Sequence, residues 1–422
     1  MNPSTRRGRK VAALKETWGR FTAGGSPEVE ARITALLEEV AQKGKRILGT
    51  ADCRALVLIG GYGRGEGGVE IVDGQERPHN NLDLLLITND LSPAEQGRLK
   101  EEFQEALVPL TQTYGIEIVV GTTTVSKLGD SPSLVMWYDM RFGHRTILGD
   151  AAFVPSLTHF QVERIPEWDV HNLLVNRGTL LVLNDHLIEA GRRDEDARKL
   201  IVRHAMKAII GYGDALLFFL GDYHWSYVEK QRRMRARAEV PEAFRALYDE
   251  AIEFRFYPAY STYLERDPAA WMNALRDTFS LLHLVCESKR LRSKGLNWEN
   301  YPEILLQRAL FEDFTSSRAW VKKMYHFVGS SACPIDASLV TKAGYRVLGG
   351  RGLIPLVFPV VGYRLEIPRF VRLAERALGA RGTAPRELRR AYLVLWSRVG
   401  DINCSSMLRK WQISLDPGES GS

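Results

Sequence analysis

The chain has 422 residues, 45% hydrophobic and 26% charged, a balance that excludes a disordered or fibrous protein, and its length implies two or three domains. Its net charge of +6 is the small excess of 57 basic over 51 acidic residues, too mild to point by itself to nucleic acid. The four cysteines, Cys53, Cys286, Cys333 and Cys404, lie far apart with no CxxC spacing and no nearby histidine pairs, which argues against a zinc site or disulfide framework and for a reducing compartment.

Residues 1–26 read as a disordered basic lead-in carrying Arg6, Arg7, Arg9 and Lys10, with no apolar stretch behind them to form a signal peptide. Ser26-Pro27 is a helix opening, and Ile33, Leu36, Leu37 and Val40 follow at helical spacing. Ala55 to Ile59 is a buried strand that runs into Gly60-Gly61-Tyr62-Gly63-Arg64-Gly65-Glu66-Gly67-Gly68. Asp73-Gly74 marks a hairpin turn. Leu82 to Ile87 is a second buried strand, Ser92-Pro93 opens a helix to about Thr113, and Ile116 to Val120 is a third strand. The order predicts an α/β domain over 27–150 with a short mixed sheet.

A linker is expected over 151–168, a helical domain over 169–330, a further helical region over 331–415 and a tail over 416–422. Helical patterns run from Asp196 to Leu220, Pro241 to Tyr257, Pro268 to Lys289, Pro302 to Val328 and Pro368 to Leu408. Gly349-Gly350-Arg351-Gly352 reads as a turn. Leu353 to Tyr363 is apolar but short and broken by Pro355 and Pro359, so no membrane span is expected and the location reads as cytoplasmic. The basic groups Lys230, Arg232, Arg233, Arg235, Arg237 and Lys289, Arg290, Arg292, Lys294 read as solvated helix faces.

Three features near the N-terminus need a common explanation. A buried strand ends in a glycine-rich turn, Asp83 stands near the start of the next strand, and Glu117 lies between apolar neighbours on the third. Because strand side chains alternate, Asn81 and Asp83 share one face, and on adjacent strands Glu117 converges with them. Such a cluster is costly without a cation. Mg²⁺ takes oxygen ligands and is commonly completed by substrate phosphates, while glycines let the backbone approach phosphate oxygens. Together these point to nucleotidyl transfer.

The turn Gly60 to Gly65 resembles the G-[GS]-x-x-x-G turn of the DNA polymerase β-like nucleotidyltransferases, Asn81-Leu82-Asp83 resembles their D-x-D strand, and Ile116 to Val120 the strand bearing their third acid. Asp139 to Asp150 resembles the end of such a domain in the bacterial minimal and small-molecule types. The resemblance covers about a hundred residues and implies an α/β (α+β) nucleotidyltransferase domain, followed by an all-α C-terminal region that helps to hold nucleotide and acceptor. It implies Mg²⁺ or Mn²⁺ as cofactor and a nucleoside triphosphate as substrate, with a small molecule, a protein side chain or an RNA end as acceptor; nucleic acid is the less favoured partner. By the same resemblance Gly60, Gly61 and Gly65 cradle phosphates, Arg64 and Lys207 neutralise them, Asn81 and Asp83 hold the metal, and Glu117 is a metal ligand or the base for the acceptor hydroxyl.

One departure matters: Asn81 stands where the family has its first acid, with Glu66 and Asp73 nearby to make up the charge. The alternative is therefore a nucleotide-binding protein on the same fold with weak or no catalysis. A dinucleotide-binding fingerprint is disfavoured because no helical pattern follows the glycines, and the Gly-Lys-Ser/Thr of a Walker loop is missing. A ligand-free tight turn, a solvent-facing Glu117 and a merely solvated Arg64 are the plain readings. Tyr223-His224-Trp225 and His144 read as packing.

Overall fold

The computed structural model describes residues 18–49, 52–312, 317–330, 332–400, 408–409, 413 and 415. The chain folds into two compact units, one of Met1–Asp169 with Asp222–Ala259, the other of Val170–Gly221 with Tyr260–Ser422.

In the first unit the helix Pro27–Ile47 starts where the Ser26 side chain accepts from the Val29 N–H, with Pro27 and two acids in its first turn and Lys45 and Arg46 in its last. The helix Pro93–Tyr114 opens with a capping box between Ser92 and Glu95. Both lie on one face of a four-stranded mixed sheet. Its central strand β1 (Cys53–Ile59) runs antiparallel to β4 (Leu82–Thr88) and to β6 (Arg145–Gly149), and β5 (Ile118–Thr124) runs parallel to β4. The order across the sheet is β5-β4-β1-β6. Leu82, Leu84, Leu86, Ile118 and Val120 face the two helices together with Ile33, Leu36, Leu37 and Phe103. Burying each of these large side chains contributes roughly 1.5–3 kcal/mol. Leu85 and Ile87 take the opposite face, against Trp137, Met140 and Phe160. The two-residue alternation thus sorts β4 into two cores.

Between β1 and β4, β2 (Val69–Val72) and β3 (Gln75–Pro78) form the hairpin expected from Asp73-Gly74, whose φ values of 53° and 74° suit a two-residue turn. Strand β6 is not apparent from the sequence, because Arg145 and Thr146 interrupt its apolar pattern. Three assignments also differ. Trp18 and Phe21, placed by sequence in the lead-in, are buried, with the Trp18 indole donating to the Thr146 carbonyl at 2.9 Å; residues 1–17 lie outside the described residues. The expected linker carries the short helix Phe153–Ser156 and the fully buried Phe160. The helices Tyr227–Ala236 and Glu242–Phe256, assigned by sequence to the helical region, cluster instead with the sheet.

The second unit is helical. Its longer members include Glu195–Phe219, capped by Asp194, and Pro268–Arg290, capped by Asp267. The stretch Pro302 to Val328 divides into Tyr301–Ala309 and Ser317–Gly329. Within the span Leu339–Gly362, Gly349 at φ 62° and ψ 175° is non-helical and breaks the helix at a kink where the sequence reads as a turn, while Gly350 to Gly352, Pro355 and Pro359 follow in the helical segment after it. Of the helices in the described residues, none is long and apolar enough to cross a membrane. The tail over 416–422 and Cys404 fall outside the described residues.

His204 lies inside this unit, its Nδ1 2.8 Å from Asn184 Oδ1, and burial, aided by Lys207 and Arg203, pushes its pKa down to about 3. A histidine lowered in the fold stays neutral while the unfolded chain takes up a proton, so stability is lost as pH falls below about 6.5. Between pH 6.5 and 5 the loss from this group is about 2 kcal/mol. The His204→Gln variant is expected to show a shallower fall of unfolding midpoint with pH over that interval than the wild type in thermal melts; equal slopes would remove His204 as the cause.

Candidate functional site

The site begins where β1 ends. Gly60 adopts φ 70°, a left-handed conformation that glycine takes without penalty, and Gly60–Arg64 then makes one helical turn closed by Gly65. A Cβ on Gly60 would stand 2.8 Å from Asp83 Oδ2, so the turn rests directly on that carboxylate. A Cβ on Gly61 would stand 3.3 Å from Nη2 of Arg255. The turn is therefore flanked by an acid on one side and a guanidinium on the other. The hairpin that follows it is not the long helix of a dinucleotide fingerprint.

Asp83 pairs across the sheet with Ile59 on β1 and Val119 on β5. The third strand starts at Ile118, one step after Glu117, but the Glu117 carbonyl still accepts the Leu82 N–H at 2.8 Å. Pairing thus sets Glu117 opposite Asn81. Ile118 and Val120 are buried in one core, so Glu117 and Val119 turn to the other face, the face of Asp83. Asn81 and Asp83 are half-buried and Glu117 is exposed. The Asn81 amide donates to Asp83 Oδ1 at 2.5 Å. Two carboxylates and an amide oxygen at one sheet edge are the hard oxygen donors that Mg²⁺ or Mn²⁺ takes.

Arg64 has another role. Its side chain is buried, with Glu66 at 3.8 Å, Asp139 at 3.6 Å and the Tyr227 ring centroid at 4.8 Å. Burial works against its charge, but Tyr227, Asp139 and Glu66 outweigh burial and raise its pKa. Its charge is matched within the fold. Glu66 is committed as well: its carboxylate accepts from the Ser226 hydroxyl and from the N–H groups of Tyr227 at 2.8 Å and Val228 at 3.4 Å, capping the helix Tyr227–Ala236. Asp73 sits in the hairpin turn with its side chain 87% exposed. Neither acid stands in for the missing charge at position 81. Tyr223, as expected, serves packing, its hydroxyl donating to Asp139 at 3.0 Å and its ring 5.9 Å from Tyr138. His144 is anchored at Nδ1, 3.1 Å from the Met140 carbonyl, and burial lowers its pKa.

The segment 222–259 supplies two cations beside the turn: Arg255, which sequence reasoning did not single out, and Lys230, whose expected place on a solvated helix face is wrong. Lys230 is fully buried, its ammonium 4.4 Å from the centroids of both Tyr223 and Tyr227. The Arg255 guanidinium lies 4.2 Å from the centroid of the Tyr227 ring. Among the described residues no carboxylate pairs with Arg255, and its buried Nε lacks a hydrogen-bond partner. Lys207 lies exposed on the helix Glu195–Phe219 of the second unit. Arg255 could have been singled out only by knowing that its helix returns to the sheet; nothing local distinguishes it.

Comparison with known proteins adds no further constraint. The chain matches no family model, and neither a curated protein nor a solved structure matches it.

The turn geometry can be tested without assuming an activity. Gly60 and Gly74 share a left-handed φ, but a Cβ at Gly74 meets nothing within 4 Å. The Gly74→Ala substitution is expected to cost about 1 kcal/mol of backbone strain, and Gly60→Ala roughly 2–4 kcal/mol because the new methyl also displaces Asp83. Urea unfolding of both variants measures the difference, and equal costs would mean that Gly60 does not press on the carboxylate.

Proposed function

We propose that the first unit is a metal-dependent nucleotidyltransferase that moves a nucleoside monophosphate from a nucleoside triphosphate to an acceptor hydroxyl. The observation that carries this reading is the Asp83 carboxylate lying against Gly60, with Asn81 and Glu117 on the same face of the sheet edge. Asp83, Glu117 and the Asn81 amide oxygen would hold Mg²⁺, which when bound neutralises phosphate charge and orients the acceptor oxygen. Glycine at 60 and 61 lets the turn lie close to Asp83 and to the Arg255 guanidinium, and Arg255, rather than Arg64, would offer N–H donors to phosphate oxygens there. The acceptor oxygen forms a bond to the α-phosphorus while the bond from that phosphorus to the bridging oxygen breaks and pyrophosphate leaves. Glu117, exposed and adjacent, takes the acceptor's proton. The modest net charge favours a small molecule or protein side chain as acceptor over an RNA end.

A second reading keeps nucleotide binding and drops turnover. It is favoured by Asn81, which removes one negative charge and directs its amide at Asp83.

The two separate in one assay. The purified protein is incubated with each of the four α-labelled nucleoside triphosphates, Mg²⁺ or Mn²⁺ and a panel of acceptors. The wild type is expected to bind nucleotide and release pyrophosphate, with Asn81→Asp faster by roughly tenfold and Asp83→Asn slower by at least about a hundredfold, the scale of losing one stabilising charge. Arg255→Ala should weaken nucleotide binding by about tenfold, equivalent to one charged hydrogen bond. Binding without turnover in wild type and Asn81→Asp alike would establish the second reading, and no nucleotide binding at all would reject both.

A further inference from the structure

The second unit gathers a set of cations that has no part in the proposed transfer. The basic run from Lys289 to Lys294 reads by sequence as one solvated helix face, but the structure divides it. Arg290 is buried and donates to Glu287 at 2.7 Å and to Glu312. Lys289, in the last turn of Pro268–Arg290, and Arg292 and Lys294, beyond its end, are exposed. None of these three pairs with a carboxylate among the described residues. All three line one cavity of about 460 Å³, together with Ser288, Ser293 and Leu296, and the lining contains neither a carboxylate nor an aromatic ring.

The backbone fixes this grouping. The Ser293 N–H donates to the Ser288 carbonyl at 3.1 Å and the Arg292 N–H to that of Lys289 at 3.3 Å, the two bonds of a Schellman closure. The residue that such a closure puts in the left-handed region is ordinarily glycine. Here it is Arg292, at φ 51°. The chain reversal at that residue sets positions 292 to 294 beside Lys289 around the cavity. The residues that follow are braced: the Asn300 amide donates to the Gly295 carbonyl at 3.2 Å, and the Trp298 indole donates to the Ser280 hydroxyl at 2.8 Å. The loop that carries the cations is therefore held in place against their mutual repulsion.

The helix end explains only part of this charge. Cations gain from the partial negative charge at a helix C-terminus, but the gain fades within the last turn. It accounts for Lys289 and not for Lys294, which lies past the end of the helix at Arg290. Three like charges around one cavity, one of them on a strained backbone, oppose folding until an anion enters. A phosphate group matches the lining. A guanidinium fork bonds two phosphate oxygens and ammonium groups add point charges. The Ser293 hydroxyl is a further donor, whereas that of Ser288 is directed to the Val285 carbonyl at 3.2 Å. Single-stranded nucleic acid calls for aromatic platforms beside a basic groove, and the lining has none.

We propose that the cavity at the end of Pro268–Arg290 binds a phosphate group, free or carried on a small molecule, through Lys289, Arg292, Ser293 and Lys294. Its volume falls in the range of roughly 300–1,000 Å³ that small-molecule sites occupy. The inference is independent of nucleotidyl transfer, since every residue in it belongs to the second unit.

The test is titration calorimetry of the full chain at low salt, with inorganic phosphate and glycerol phosphate as probes. The decisive variant is Arg292→Gly, which removes the guanidinium and supplies the residue that a left-handed position suits. It is expected to melt no lower than the wild type, so a loss of binding is not a loss of folding. The wild type should bind at least one probe saturably, and Arg292→Gly at least about tenfold more weakly, the scale of one charge-assisted hydrogen bond. Arg255→Ala, at the turn of the first unit, should leave this binding unchanged. The tighter of the two probes distinguishes the free anion from the ester. Saturable binding of neither probe, or equal affinity in the wild type and Arg292→Gly, would overturn the proposal. A single-stranded RNA bound in place of both probes, and lost in Arg292→Gly, would assign the cavity to nucleic acid and overturn it as well.

Discussion

The buried Glu66 carboxylate is a central tie between the distant segment 222–259 and the N-terminal sheet. Glu66 leaves the glycine turn, receives the N–H groups at the start of the helix Tyr227–Ala236 and lies beside the buried Arg64. Removing one partner of a buried pair of this kind costs roughly 3–5 kcal/mol, because the other charge is left uncompensated. The attachment matters for chemistry as well as stability. It brings Tyr227 between Arg64, Lys230 and Arg255, and the backbone of Arg255 lies so close to Gly68 that a Cβ there would meet its carbonyl oxygen at 2.4 Å. The position of Arg255 at the turn therefore depends on a cap made by a residue only a few positions along the chain from that turn.

The same arrangement explains why Arg64 is a poor candidate for binding phosphate despite its place in the motif. Two carboxylates and an aromatic face already surround it. Drawing it towards a ligand would strand Glu66 and Asp139 in a low-dielectric interior, a cost larger than one hydrogen bond to a charged group returns. Arg255 shares the Tyr227 ring but pairs with no carboxylate among the described residues. The basic residue nearest in sequence and the basic residue free to serve are thus different, and the energetic balance favours the distant one.

Signals in the sequence are legible where the physics is local. Ser26-Pro27, Ser92-Pro93 and Asp73-Gly74 set two helix starts and a hairpin because caps and turns depend on a few adjacent residues. Alternation suffices to put Asn81, Asp83 and Glu117 on one face. What depends on the return of a remote segment stays hidden. Trp18 and Phe21 read as part of a basic lead-in until Thr146 and the core are in place around them, and the helices Tyr227–Ala236 and Glu242–Phe256 show ordinary helical spacing that says nothing about which unit they join. Gly349 to Gly352 is legible in part: the glycine run does mark a break in the helix, but only Gly349 leaves the helical conformation.

Asn81 is the point at which structure and chemistry pull against each other. In the fold its amide stabilises the Asp83 carboxylate, and a hydrogen bond to an ionised group contributes about 1.5–3 kcal/mol. A second acid at that position would repel Asp83, half-buried beside it, so the asparagine favours the fold without a cation. With a cation present the balance reverses, since an additional acid would be attracted to the ion while the amide offers one neutral oxygen. If the edge formed by Asn81, Asp83 and Glu117 is the metal site proposed above, it is one that stays stable without a metal and would hold one less tightly than a three-acid edge. On the proposed function, tight binding would depend on the substrate's own phosphates completing the coordination, which would couple metal to nucleotide at the turn that Gly60 and Arg255 flank.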